Sequence, residues 1–231
     1  MKLRPLFILL AVLTLSATVR SAPGTLIPRP QEATRLDGQF VFTTGIPVVY
    51  ASGLEPLAEY IADYIPLQRL DDRTWTAGAA LRLSLDGTMD DESYRLTVTP
   101  QGVQVVGADY GGVFNGLQTL LQLLPPEVYT GQATLPLTVD ACRIEDAPRF
   151  HYRGMMLDVV RTWMDADRVK RHIDLLSHLK INKLHLLLSN DEGWRLEIKS
   201  HPELTEIGAW RGGDSPVMPV YGKWDEKYGG F

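Results

Sequence analysis

Polar side chains that could bind a ligand follow two short apolar stretches in the second half of the chain. Asp158 and Arg161 follow the first stretch, and the polar run 189–195 follows the second. This run contributes Ser189, Asn190, Asp191, Glu192, Trp194 and Arg195. Carboxylates and guanidinium groups bind hydroxyls, and a Trp face suits a sugar ring. The two groups predict the rim of a polar ligand site, with solvated loops at the edge of a structural barrel as the alternative.

The elements that must position these residues form the start of a βαβ series. Residues 152–158 predict a strand, residues 165–180 an amphipathic helix with Asp165 as its N-cap, and residues 183–188 a continuously apolar parallel strand covered on both sides. The apolar face of the helix consists of Val169, Ile173, Leu176 and Leu179. In a (β/α)8 barrel, functional residues gather at the carboxyl ends of the strands. Both polar groups occupy that position.

The preceding residues, 24–150, predict a small α+β domain in which helices pack on one face of a sheet. Short strands are predicted at 39–43, 47–50, 81–85, 94–99 and 103–106. The last two strands flank Thr99-Pro100-Gln101-Gly102, a sequence typical of a hairpin turn. Two helices are predicted from the spacing of Leu54, Leu57, Ala58, Ile61 and Ile65, and of Val113, Leu117, Leu120, Leu121 and Leu124. Pro125 and Pro126 end the second helix.

Residues 105–112 lie between a predicted strand and a predicted helix, which is the context of a dinucleotide-binding turn. Their glycines follow the pattern G-x-x-x-G-G, whereas the dinucleotide fingerprint is G-x-G-x-x-G. No suitable acid follows a subsequent strand. The segment therefore favours a tight strand-to-helix turn over nucleotide binding.

Composition restricts the classes of partner. The 231 residues include 23 Lys and Arg against 28 Asp and Glu, a formal net charge of −5. This balance argues against nucleic acid as a partner, because phosphate binding requires a basic face. The single cysteine, Cys142, excludes an intrachain disulfide framework and any multi-cysteine metal site. We expect neither a metal nor a cofactor.

The first 22 residues have the pattern of a secretory signal peptide. Lys2 and Arg4 precede the apolar stretch 6–15, and small residues follow it. Ten apolar residues are too few to anchor the chain across a bilayer. Removing residues 1–22 deletes three basic residues and no acid. We expect an acidic, exported protein, secreted or periplasmic, without a membrane anchor.

Two motifs resemble glycoside hydrolase family 20, the β-N-acetylhexosaminidases. Residues 153–161, RGMMLDVVR, resemble the R-G-x-x-L-D-x-x-R opening of the family's barrel. Residues 182–195, NKLHLLLSNDEGWR, resemble its second-strand motif, N-x-x-H-x-H-L-x-D-D-Q-G-W-R, and residues 197–205 its continuation. Segments 27–31, 94–102, 115–120 and 145–150 are similar to the family's N-terminal domain. The resemblance covers nearly the whole chain after the signal peptide.

The resemblance implies a small α+β domain at 23–150 followed, at 151–231, by the first βα units of a truncated (β/α)8 TIM barrel. A full barrel takes about 250 residues, so residue 231 is expected to be a truncation point. The family's catalytic pair, an adjacent Asp and Glu in H-x-G-G-D-E, is absent from the sequence. The Asp orients the acetamido group of the substrate, which attacks the anomeric carbon, and the Glu protonates the leaving oxygen.

The resemblance thus implies the N-terminal part of a secreted β-N-acetylhexosaminidase that is itself inactive. The parent would release terminal N-acetylhexosamine from oligosaccharides or glycans. The alternative is a non-catalytic carbohydrate-binding protein on the same scaffold.

The resemblance also assigns roles to individual residues. Arg153 matches an Arg that binds sugar hydroxyls, although it begins its strand, about 16 Å from the carboxyl end; a salt bridge at the barrel floor is the alternative. Asn190 replaces an Asp that belongs to an Asp–His–Glu relay, and Leu187 replaces the second His of the motif. The other matched residues are Asp158 at the strand end and Asp191, which holds the loop. For Trp194 we favour a packing anchor over a sugar platform, and for His185, which matches the first His, a hydrogen-bonded histidine on a buried strand over a catalytic role.

Overall fold

The larger part of the structure is a seven-stranded mixed sheet. A computed structural model describes residues 25–215, 217 and 225–231, so the predicted signal peptide lies outside the described residues. The sheet has the order β1-β7-β5-β6-β4-β2-β3. Its strands are β1 (Glu32–Phe42), β2 (Pro47–Tyr50), β3 (Gln68–Asp71), β4 (Leu81–Leu85), β5 (Tyr94–Thr99), β6 (Gly102–Gly107) and β7 (Leu137–Asp146).

Half of this sheet is antiparallel and half is parallel. Strands β1, β7, β5 and β6 pair antiparallel, whereas β6, β4, β2 and β3 pair parallel. The predicted hairpin between β5 and β6 is confirmed, with Thr99 opposite Gly102. Sequence analysis missed β3, β7 and the first half of β1. The four residues of β3 are all at least partly exposed and lack an apolar pattern, and the start of β1 is exposed and polar.

Two helices cover one face of the sheet, as predicted. Helix α1 (Glu55–Tyr64) packs on β2 and β3, and helix α2 (Tyr110–Leu123) packs on β4, β5 and β6. A short 3₁₀ helix, Pro126–Thr130, follows α2 at the predicted proline stop. Alternate residues of the central strands and the inner faces of both helices form one hydrophobic core. Fully buried members include Tyr94, Leu96, Leu81, Ile61, Leu117, Leu120 and Ile144.

Two glycines, Gly107 before α2 and Gly112 in its first turn, allow close packing. Asp109 is the N-cap of α2, and its Oδ1 accepts a hydrogen bond from the Gly112 amide at 2.8 Å. A side chain at Gly112 would collide with the carbonyl oxygen of Ser93, and one at Gly107 with the Val113 backbone. The structure therefore agrees with the tight strand-to-helix turn favoured from the sequence.

The second part of the structure begins with one βαβ unit. Strand β8 (Gly154–Asp158) and strand β9 (Lys183–Leu187) are parallel neighbours joined through helix α3 (Ala166–His178). Asp165 caps α3 as predicted, because its Oδ1 accepts a hydrogen bond from the Arg168 amide at 2.8 Å. The predicted double coverage of β9 is wrong for the described residues, because none of its five residues is buried.

This unit buries little apolar surface of its own. Of the predicted apolar face of α3, only Leu176 is buried, and Ile173 remains 47% exposed. Met156 on β8 is likewise exposed. The buried apolar residues described after residue 150 are Leu157, Val159, Val160, Leu176 and Ala209.

Short elements complete the second part. The pair β10 (Ser189–Asn190) and β11 (Gly193–Trp194) forms a tight loop after β9, and helix α4 (Glu203–Glu206) follows. Strand β12 (Trp210–Arg211) pairs antiparallel with β13 (Tyr228–Gly229). None of the helices in the described ranges is long and apolar enough to cross a membrane.

The packing around Gly112 leads to a stability prediction. Replacing Gly112 with Ala should lower the free energy of unfolding by about 1–3 kcal/mol, because the added methyl meets main chain that cannot move aside. Urea titration measures this loss. The matched control is Gly87→Ala, since a Cβ at Gly87 has open space around it. Equal midpoints for the two variants would contradict this packing role.

Candidate functional site

The carboxyl ends of β8 and β9 lie side by side, with Asp158 opposite Leu187. Asp158 Oδ1 accepts hydrogen bonds from the Val160 and Arg161 amides, each at 2.9 Å. Its Oδ2 accepts one from the Arg161 guanidinium at 2.5 Å. Burial raises the pKa of Asp158, but these hydrogen bonds outweigh it and hold the pKa below its usual value. The carboxylate is therefore charged at neutral pH, and it orients a guanidinium that is about half exposed.

Two arginines from the following loops are buried behind this turn. Arg195 donates hydrogen bonds to the carbonyl oxygens of Val159 at 3.1 Å and Val160 at 2.9 Å. Arg211 donates to the Arg161 carbonyl at 2.8 Å and forms an ion pair with the fully buried Glu192. The sequence-based placement of Glu192 and Arg195 on the ligand rim is therefore wrong, because both side chains point inward.

Asn190 lies in the loop beyond β9. Its Oδ1 accepts a hydrogen bond from the Glu192 amide at 2.7 Å, so one half of the side chain fixes the loop. Its Nδ2 is buried and has no hydrogen-bond partner among the described residues. An unpaired buried donor is costly, so this group indicates an acceptor that these residues do not supply.

The other matched residues of the second strand and loop have different environments. His185 is exposed, and no hydrogen bond links its side chain to the described residues, so the role predicted for it stays a prediction. Asp191 is exposed as well. A hydrogen bond from the Glu192 amide to Asn190 holds the loop, and the role predicted for Asp191 stays a prediction. Trp194 is half-buried, and its indole N–H donates to the Leu196 carbonyl.

Arg153 lies at the opposite end of β8. Its guanidinium donates to both carboxylate oxygens of Glu92, at 2.8 and 3.1 Å, and its Nε donates to the Lys180 carbonyl at 2.7 Å. The side chain is only 15% exposed. In the structure Arg153 forms the salt bridge that was the alternative to its predicted sugar-binding role, and it joins the start of β8 to Glu92, just before β5. Glu92, the partner, had no feature in the sequence that would have identified it.

Lys180 forms a second buried contact at this joint, and sequence analysis missed it. Its ammonium donates to Tyr94 Oη at 2.8 Å and to Asp146 Oδ2 at 3.0 Å. Its backbone is left-handed, with φ of +59°, just after α3. Burial lowers the pKa of Lys180, and Asp146 partly offsets this. The joint borders a cavity of about 390 Å³ that is also lined by Phe150.

That cavity lies on the amino-terminal side of β8, away from Asp158 and Arg161. Across the described ranges, no group of three or more His, Cys, Asp or Glu side chains could hold a metal ion. The arrangement at the carboxyl ends offers instead an oriented guanidinium and a charged carboxylate, which are groups that bind hydroxyls.

Comparison with known families matches both parts of the chain. The family model "Glycosyl hydrolase family 20, domain 2" matches residues 24–147, and "Glycosyl hydrolase family 20, catalytic domain" matches residues 150–228. The first match alone covers more than half of the chain. The chain belongs to glycosyl hydrolase family 20.

Individual relatives agree with this family. The chain is 39% identical over 215 residues to a beta-hexosaminidase of Vibrio furnissii, covering 91% of this chain and 34% of that protein. It is 38% identical over 194 residues to a beta-N-acetylhexosaminidase of Cellulomonas fimi, covering 80% of this chain and 38% of that one. The chain thus spans little more than a third of the length of these relatives.

Solved structures show the same mixed α/β fold. An exo beta-N-acetylglucosaminidase from Vibrio harveyi, in complex with N-acetylglucosamine, matches with a TM-score of 0.78 and 34% identity over 92% of this chain and 33% of that one. A beta-hexosaminidase from Streptomyces plicatus matches with a TM-score of 0.75 and 34% identity, over 87% and 42%.

The Arg153–Glu92 pair gives a double-mutant prediction. We expect Arg153→Met and Glu92→Gln, alone and combined, to reveal a coupling free energy of about 1–3 kcal/mol in unfolding titrations, since both groups are largely buried. The exposed pair Arg69–Glu59 is the control and should couple by less than about 1 kcal/mol.

The same pair makes stability depend on pH. The hydrogen bond from Arg153 lowers the pKa of Glu92. Its stabilising contribution is therefore complete above the unfolded-state pKa, about 4.3, and is lost as the pH falls through the lower folded-state pKa. Parallel pH profiles for the wild type and Glu92→Gln below pH 5 would contradict the assignment.

Proposed function

We propose that this chain is the N-terminal part of an exported β-N-acetylhexosaminidase. Residues 1–22 are a signal peptide, residues 23–150 a non-catalytic α+β domain, and residues 151–231 the first βα units of a (β/α)8 barrel. The observation that carries the proposal is the match of both parts of the chain, in order, to the two domains of the family. The substrate class is a terminal N-acetylhexosamine on an oligosaccharide or glycan.

The geometry at the carboxyl end of β8 supports a sugar site there. Arg161 presents a half-exposed guanidinium that Asp158 orients through a 2.5 Å hydrogen bond. In a (β/α)8 barrel this end of the strand faces the substrate. We therefore assign the sugar-hydroxyl contact to Arg161 in place of Arg153, whose donors are engaged on Glu92, Phe150 and Lys180 at the other end.

Catalysis needs groups from further along the barrel. The acetamido oxygen of the substrate attacks its own anomeric carbon, one carboxylate orients that amide, and a carboxylic acid protonates the leaving oxygen. The motif that supplies this pair in the family, H-x-G-G-D-E, does not occur among the 231 residues. The role of this chain is to bind and orient the sugar, through the β8 and β9 ends.

A non-catalytic carbohydrate-binding protein is the second candidate. Two departures favour it: Leu187 stands where the family motif has a histidine, and Asn190 stands where it has an aspartate. Both lie beside the proposed site, and the second removes a charge that would tune the acid.

Activity distinguishes the two candidates. We expect the full-length protein, including the sequence that follows residue 231, to release the aryl group from an aryl N-acetyl-β-glucosaminide. The 231-residue chain should show no hydrolysis above background, because it encodes neither the acid nor the amide-orienting carboxylate. A folded, full-length protein that binds N-acetylglucosamine without hydrolysing the glycoside would support the binding protein. Hydrolysis by the 231-residue chain would contradict the assignment of roles.

The pH profile of the full-length enzyme tests Asn190. By resemblance, this position faces a histidine that contacts the catalytic acid, and a carboxylate there should raise the pKa of that histidine by about one unit or more. Asn190→Asp should therefore shift at least one apparent pKa of kcat/KM by about half a unit or more. The control is Asp191→Asn in the same loop, because that side chain is exposed. If the profiles of the wild type and Asn190→Asp superimpose, Asn190 only holds the loop.

A further inference from the structure

Side chains hydrogen-bond both the amides and the carbonyls of the turn that follows β8. The Val160 and Arg161 amides donate to Asp158 Oδ1. Three consecutive carbonyl oxygens, those of Val159, Val160 and Arg161, accept hydrogen bonds from the guanidinium groups of Arg195 and Arg211. Buried carbonyls require donors, and side chains of later loops supply donors to these three.

Arginine suits this task because its donors lie in a fixed plane. Arg195 uses Nε for the Val159 carbonyl and Nη2 for the Val160 carbonyl, and its Nη1 donates to the Gly230 carbonyl at 3.0 Å and to the Ala209 carbonyl. A single side chain thereby ties three chain segments together. A lysine carries one compact ammonium and cannot reproduce this planar fork.

One of the two buried guanidinium charges is compensated within the cluster by an ion pair. Arg195 is 7% exposed, Arg211 is 6% exposed, and Glu192, which pairs with Arg211, is completely buried. The guanidinium groups also lie over aromatic rings, Arg195 over Trp163 and Arg211 over Tyr228. A buried charge without partners is costly, so the ion pair holds Arg211 in place. Carbonyl oxygens and the Trp163 ring hold Arg195.

We infer that Arg195, Arg211 and Glu192 are positioning residues for sugar binding. They set the turn from which Arg161 extends, and so the place of its guanidinium over the substrate. This inference rests on the proposed function, in which Arg161 contacts the sugar. None of the three residues touches the sugar itself; they act through the main chain of residues 159–161.

The decisive variant is Arg211→Lys in the full-length protein, with Arg211→Met beside it. Lysine keeps the charge opposite Glu192, but its donors radiate from one nitrogen, whereas Arg211 reaches the Val160 and Arg161 carbonyls from two separate nitrogens. We expect Arg211→Lys to retain the folded state and to raise KM for an aryl N-acetylglucosaminide about tenfold or more, because Arg161 is displaced. Loss of folded enzyme alone would lower the apparent kcat and leave KM unchanged.

A second measurement does not depend on activity. Amide hydrogen exchange of residues 159–161, followed by mass spectrometry on the same full-length proteins, should accelerate at least tenfold in both Arg211 variants. The matched control is Lys180→Met, which removes an equally buried cation at the other end of β8. It should lower the melting temperature without accelerating exchange in this turn and without raising KM.

The outcomes separate the two proposals. Wild-type KM and wild-type exchange in Arg211→Lys would overturn the positioning role, whatever the activity of the protein. Accelerated exchange together with an unchanged KM would overturn the link between the turn and the sugar. A folded wild-type protein that does not hydrolyse the glycoside would refute the proposed enzymatic activity. The exchange data would still decide whether the arginines hold the turn.

Discussion

Two buried cations hold the second part of this chain on the first. Arg153 pairs with Glu92, and Lys180 pairs with Asp146 while it donates to Tyr94. The βαβ unit buries few apolar residues of its own, so hydrophobic packing alone does not fix its place. Charged hydrogen bonds are directional, and a buried charge without its partner is costly. These contacts therefore fix the position where β8 begins. Because the strand is rigid and short, they also fix the position of its carboxyl end.

Charged hydrogen bonds also hold the carboxyl end of β8, but there they bind the main chain. The joint uses side-chain ion pairs, whereas the turn after β8 is held by guanidinium groups on main-chain carbonyls and by Asp158 on main-chain amides. Arg161 extends from this turn with a half-exposed guanidinium. An arginine thus flanks each end of β8: Arg153, before the strand, is largely buried, whereas the side chain of Arg161, after it, is about half exposed. The motif spacing in the sequence does not distinguish these two roles.

The departures from the family motif lie together in space. Leu187 pairs with Asp158 across β8 and β9, and Asn190 lies in the loop just beyond. The Asn190 amide is half satisfied: its oxygen accepts from the Glu192 amide, and its nitrogen has no acceptor within the described part of the chain. A carboxylate at this position would present an acceptor where the amide presents a donor. The partner of the Asn190 nitrogen must therefore be a hydrogen-bond acceptor, whereas the partner of an aspartate at this position would be a donor.

The sequence by itself determined the local structure and the family. Alternating apolar residues predicted the central strands, helical spacing predicted α1 and α2, and Asp165 was recognised as a cap, because these signals depend on neighbours within a few residues. Tertiary structure decided which polar residues are buried. Glu92 and Arg153 are 61 residues apart, and Arg195 and Arg211 bond to carbonyls of residues 159–161. Ion-pair partners that meet only after the chain folds leave no periodic pattern. The sequence therefore could not show that Arg153 pairs with Glu92 or that Arg195 is buried, and only the fold revealed both.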